Sequence, residues 1–154
     1  MRPRSLLSRL DALQHEALAI IDRATACLEQ SPEIARAELA HLRWKLARAL
    51  REYQVFKHSH IFDPAIASGS PSLAEAGRRL KIDCIAGGET FFRYVRFWSS
   101  KDVVANWGEF RAATRDLGRN LRDHVSSEGT QIRLLLAEAT KRGLVSARED
   151  RLQA

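Results

Sequence analysis

A chain of 154 residues with 45% hydrophobic and 29% charged residues has the composition of one globular domain, and excludes a disordered or low-complexity protein. No apolar run approaches the ~20 residues of a membrane span, and the basic start Met1-Arg2-Pro3-Arg4-Ser5-Leu6-Leu7 is soon interrupted by Arg9 and Asp11, so neither a transmembrane helix nor a signal peptide is expected. The formal charge of +6 is spread along all segments and mixed with Asp and Glu, which favours a solvated surface over a nucleic-acid interface.

These features point to a cytoplasmic protein of a single domain over residues 1–154. Its two cysteines, Cys27 and Cys84, make no disulfide framework and read as buried thiols.

Four segments carry helical periodicity. The first, about residues 5–30, repeats Leu6, Leu10, Leu13, Ala17, Ile20, Ile21, Ala24 and Leu28 at spacings that place them on one face. Ser31 and Pro32 supply an N-cap and a first helical residue for the second segment. That segment, about 32–62, has the stripe Leu39, Leu42, Leu46, Ala49, Leu50, Tyr53, Lys57, then His60 or Ile61. Asp63-Pro64 and Ser68-Gly69-Ser70-Pro71 are expected to break it.

The third segment, about 72–98 with Ser70 or Ser72 as cap, alternates steps of four and three through Leu73, Gly77, Leu80, Cys84, Gly87, Phe91, Tyr94 and Trp98. Gly87-Gly88 weakens it locally and leaves room for a bulky neighbour. The fourth, about 102–140, follows Val103, Trp107, Phe110, Thr114, Leu117, Leu121, Val125, Glu128, Ile132 and Leu135. The polar tail from Lys141 is expected to fray. The fold expected is all-α, an antiparallel up-down-up-down four-helix bundle.

Polar residues on apolar stripes carry the functional information. Tyr53 and Lys57 interrupt the second stripe, Cys84 stands in the third with Asp83 beside it, and Glu128 stands in the fourth with His124 on its flank. A buried Glu128 needs a partner or a proton. Lys57 is the expected partner, with Tyr53 hydrogen-bonding His124. A polar layer of Tyr53, Lys57, Asp83, Cys84, His124 and Glu128 is therefore expected in the core. The competing expectation is that Lys57 extends to solvent.

With these residues in view, the chain resembles the hemerythrin-like (HHE cation-binding) family. The resemblance lies in helix order and length, in the stretch Tyr53-Gln54-Val55-Phe56-Lys57-His58-Ser59-His60-Ile61-Phe62-Asp63-Pro64, and in Leu121-Arg122-Asp123-His124-Val125-Ser126-Ser127-Glu128. It implies a bundle with a di-iron site of His and carboxylate ligands. Only His124 and Glu128 keep those residue types. Ala17 stands in place of a first-helix histidine. Tyr53 and Lys57 stand in place of His and Glu if one residue is added before Pro64, whereas a gapless alignment gives Gln54 and His58.

The resulting expectation is a non-enzymatic bundle with a degenerate metal site and no cofactor, acting on an unknown protein partner without membrane or nucleic acid. One alternative is a non-haem iron protein that binds oxygen or senses redox state, using His124, Glu128, Asp83 and His15 or His58. Another is a histidine-phosphotransfer module built on His41 and Lys45. Phosphate loops, zinc motifs and nucleophile elbows do not occur.

Overall fold

The computed structural model describes residues 3–143. Four long helices dominate it: α1 (Pro3–Cys27), α2 (Pro32–Lys57), α4 (Pro71–Ser99) and α5 (Trp107–Lys141). A π-helical turn (His58–Phe62) and the short α3 (Asp63–Ile66) continue α2 towards α4. No strand occurs among the described residues, and no described helix is long and apolar enough to cross a membrane. The tail expected to fray lies, beyond residue 143, outside the described residues.

Each long helix buries most of the stripe its sequence carries, while Ala24, Leu50, Tyr94 and Thr114 are half-buried. Leu6, Leu10, Leu13, Ala17, Ile20, Ile21 and Leu28 are buried from the first segment, and Leu73, Leu80, Cys84, Phe91 and Trp98 from α4. Two apolar clusters stack along the molecule. One gathers Leu10, Leu13, Phe62, Leu80 and Ile132. The other gathers Ile20, Leu42, Phe91, Trp98 and Phe110. Asp11 and Asp22 of α1 pair with Arg133 and Arg122 of α5, and Glu29, in the turn just after α1, pairs with Arg111 and Arg115.

Several boundaries differ from expectation. α1 ends at Cys27 rather than near Gln30, and Leu28, Glu29 and Gln30 donate instead to carbonyls three residues back, a tightened end common at helix termini. Ser31 stands at the N-cap of α2 but its side chain makes no capping bond. Ser70 does cap α4, accepting from Leu73 N at 3.4 Å.

Asp63-Pro64 does not break the chain's helical course. The π turn widens the helix so that Asp63 N donates to His58 O, five residues back, and Pro64 falls in the first turn of α3, where no amide donor is needed. The break comes at Gly69, whose φ of +81° suits a residue without Cβ. The fourth helix starts at Trp107, not near Asp102. There Asp102 Oδ1 accepts from Ala105 N at 3.1 Å and its carbonyl accepts from Asn106 Nδ2 at 2.8 Å, a side-chain-stabilised turn that competes with helix.

Candidate functional site

The polar centre of the first cluster begins with Lys57. Its place in the α2 stripe turns it inward, and it is 2% exposed. Nζ donates to Glu128 Oε1 at 2.6 Å and to Cys84 Sγ at 3.2 Å. It also lies 3.8 Å from the centroid of the Tyr53 ring, one turn earlier on the same helix. Two acceptors and an aromatic face therefore surround the ammonium.

Glu128, 3% exposed, is the acceptor for two donors at a single oxygen. Besides Lys57, the Tyr53 hydroxyl donates to Oε1 at 2.8 Å. Gln14 completes the chain: its Nε2 donates to Tyr53 OH at 3.0 Å and to the Val125 carbonyl at 3.3 Å. Burial by itself raises the Glu128 carboxyl. The His124 imidazole and the Lys57 ammonium together outweigh that effect and hold the group below its usual range. Burial, followed by the Glu128 charge, pushes the Tyr53 phenol well above its ordinary value. Burial likewise raises the Cys84 thiol despite the adjacent ammonium. The centre thus holds a carboxylate beside a neutral phenol and a neutral thiol.

The second carboxylate oxygen has a different setting. Glu128 Oε2 has no hydrogen-bond donor among the described residues. His124 Nε2 is 3.6 Å away, too far for a hydrogen bond. Gly87 makes room for that imidazole: a Cβ there would come within 3.3 Å of Nε2. His124 and Glu128 line a pocket of about 340 Å3 with Asp83, Gly87, Thr90 and Ser127.

The structure therefore brings Tyr53, Lys57, Cys84 and Glu128 into direct contact, with His124 at the edge. Two expectations need correction. Tyr53 bonds Glu128 rather than His124, because an ionised carboxylate is the stronger acceptor. Asp83 is exposed on the pocket wall and, among the described residues, forms no hydrogen bond or ion pair with Lys57 or Glu128. Lys57 does not reach solvent. Gln14 is the member that sequence reading missed, although it lies four residues after Leu10 and so shares its helix face.

The other candidates stand apart. His15, His41 and Lys45 are exposed. His58 is half-buried, and burial, with Lys81 and Lys57 nearby, lowers its imidazole so that the neutral form is favoured. Among the described residues, no three His, Cys, Asp or Glu side chains converge as metal ligands. Comparison with known proteins finds no matching family model, no matching curated protein and no matching solved structure.

Proposed function

We propose that this chain is a non-enzymatic, hemerythrin-like bundle in which the Lys57–Glu128 ion pair stands where a bound cation would otherwise be, and that it serves as a cytoplasmic interaction or regulatory protein. The observation that carries this reading is the 2.6 Å contact between two almost fully buried opposite charges. An ammonium there neutralises the carboxylate and repels a second cation. The donor set does not fit a di-iron centre: Glu128 Oε1 is taken by Lys57 and Tyr53, and Ala17, Tyr53 and Lys57 offer no imidazole or carboxylate.

The π turn supports the register behind this reading. It adds one residue to the helical course between Lys57 and Pro64, as the alignment with Tyr53 and Lys57 inward requires. The proposed topology is up-down-up-down for α1, α2, α4 and α5. The ion pairs that join α1 and the turn after it to α5 support it, because the acidic residue numbers fall as the arginine numbers rise. An interaction role draws support from α4, where Ile82, Ile85 and Phe92 are exposed at spacings that share a face.

The alternative, a non-haem iron protein, draws on one observation: Glu128, with its unpartnered Oε2, and His124 line one pocket with Asp83. Elemental analysis of untagged protein, before and after anaerobic ferrous loading, separates the two. The expected result is no stoichiometric iron in either sample. One equivalent or more, lost on His124→Ala or Glu128→Ala, would replace the ion-pair reading with the iron one.

A further inference from the structure

The second apolar cluster encloses a cavity of about 210 Å3 with a different chemistry from the His124 pocket. Its wall is built from Leu39, Leu46, Phe91, Trp98, Phe110 and Leu121. Tyr94 and Thr114 also line it, their hydroxyl oxygens 2.7 Å apart and bonded to each other. Among the described residues no Asp or Glu lines it, but three cationic side chains do: Arg36, Arg43 and Lys101. None of the three has a carboxylate within 4.0 Å among the described residues, as is also true of Arg48, Arg51, Arg78, Arg93 and Arg96, so it is their place on the cavity wall that sets them apart.

The sequence arranges this mouth simply. Arg36, Ala40 and Arg43 follow one another at steps of four and three on α2, so they share a face. Ala40, exposed and short, lines the cavity together with the two arginines. Lys101 comes from the joint between α4 and α5, its ammonium 4.5 Å from the Phe97 ring centroid. An apolar interior with cationic groups and no acidic ones calls for a ligand with an apolar body and an anionic end. At about 210 Å3 the cavity lies below the roughly 300–1,000 Å3 of drug-sized ligand pockets, which suits one alkyl chain rather than a two-chain lipid.

We propose that this cavity binds a single-chain anionic amphiphile, a medium-chain carboxylate. Its alkyl chain lies among Leu39, Leu46, Phe91 and Trp98, and its carboxylate is held by Arg36, Arg43 and Lys101. The site is separate from the Lys57–Glu128 centre and does not depend on the metal-free reading.

Decanoate, kept below its micelle concentration, is the probe, with calorimetry as the readout and, in a Trp44→Phe, Trp107→Phe background, Trp98 fluorescence as a second. Decanol, decyltrimethylammonium and phosphatidylglycerol vesicles are the comparators. The expected result is saturable binding of one equivalent of decanoate. Arg36→Gln with Arg43→Gln should weaken it by about tenfold or more, as loss of charge-assisted hydrogen bonds implies. Ala40→Trp, which plugs the mouth from an exposed position, should abolish it while circular dichroism stays unchanged. Decanol should bind more weakly and decyltrimethylammonium not at all. The proposal is overturned by no saturable binding of decanoate, by unchanged affinity in the arginine variant or the folded Ala40→Trp variant, by equal affinity for the ammonium amphiphile, or by binding to vesicles alone.

Discussion

Lys57 and Glu128 stabilise each other only as a pair. Removing one partner from a buried pair costs roughly 3–5 kcal/mol, because the other charge is left in a poorly solvating interior. Lys57→Met is expected to lose stability on that scale in urea unfolding. Lys57→Met combined with Glu128→Leu should cost less than Lys57→Met alone, since no charge is then stranded. A double-mutant cycle with additive costs would contradict a coupled pair. The pair also sets a pH dependence. The folded Glu128 carboxyl lies below its ordinary value of 4.5. Its contribution is complete above the unfolded value and is lost as pH falls through the folded one. The unfolding midpoint should therefore drop more steeply on acidification below about pH 4.5 for the wild-type chain than for Glu128→Gln.

Much of this centre was legible from single residues. Glu128 and Lys57 announced themselves as charges on apolar stripes, and burial followed from helical spacing. The choice of Tyr53's acceptor was not legible, because a helix wheel gives direction but not which of two acceptors on one face, His124 or Glu128, lies within reach. Gln14 escaped notice for a different reason. An uncharged amide next to Leu13 does not violate the stripe visibly, and its role appears only once Tyr53 and the Val125 carbonyl are placed around it.

At the scale of elements, the informative feature is the junction from α2 to α4. Periodicity left His60 and Ile61 both open as the end of the stripe, and Ile61 is the buried one; the π turn that delivers it, and the helical continuation through Pro64, leave no simple pattern. Local hydrogen bonding around Asp102 likewise delayed α5 to Trp107 against the stripe that included Val103. The glycines of α4 test the packing at this junction. A Cβ at Gly77 would lie 3.0 Å from the Phe62 carbonyl oxygen and 3.1 Å from Ala65 Cβ. Gly77→Ala is therefore expected to destabilise by about 1–3 kcal/mol through overpacking, despite its better helix propensity. At Gly88 the nearest atom is the flexible Gln54 Oε1 at 4.0 Å, so Gly88→Ala should stabilise by about 0.5–1 kcal/mol. Thermal unfolding of the two variants should move in opposite directions. Equal shifts would mean that α3 does not pack on α4 as closely as described.

Across the whole molecule, two kinds of electrostatics coexist and answer differently to salt. The α1–α5 ion pairs are on the surface, with Asp11 and Asp22 side chains 59% and 66% exposed. The Lys57–Glu128 pair is inside. Exposed pairs contribute at most about 1 kcal/mol each, and the screening length falls from about 10 Å at 0.1 M salt to about 3 Å at 1 M. Asp11→Asn with Asp22→Asn takes the formal charge from +6 to +8 by removing two negative charges, so it adds self-repulsion to the loss of two bridges. Its destabilisation should be modest at 0.1 M salt and shrink further at 1 M. The cost of Lys57→Met should persist at both concentrations, because salt does not enter the core. Urea unfolding of the two variants at both salts decides the matter. A Lys57→Met cost that vanished at 1 M would place that pair in contact with solvent ions, and the reading of a lysine substituting for a buried cation would fail with it.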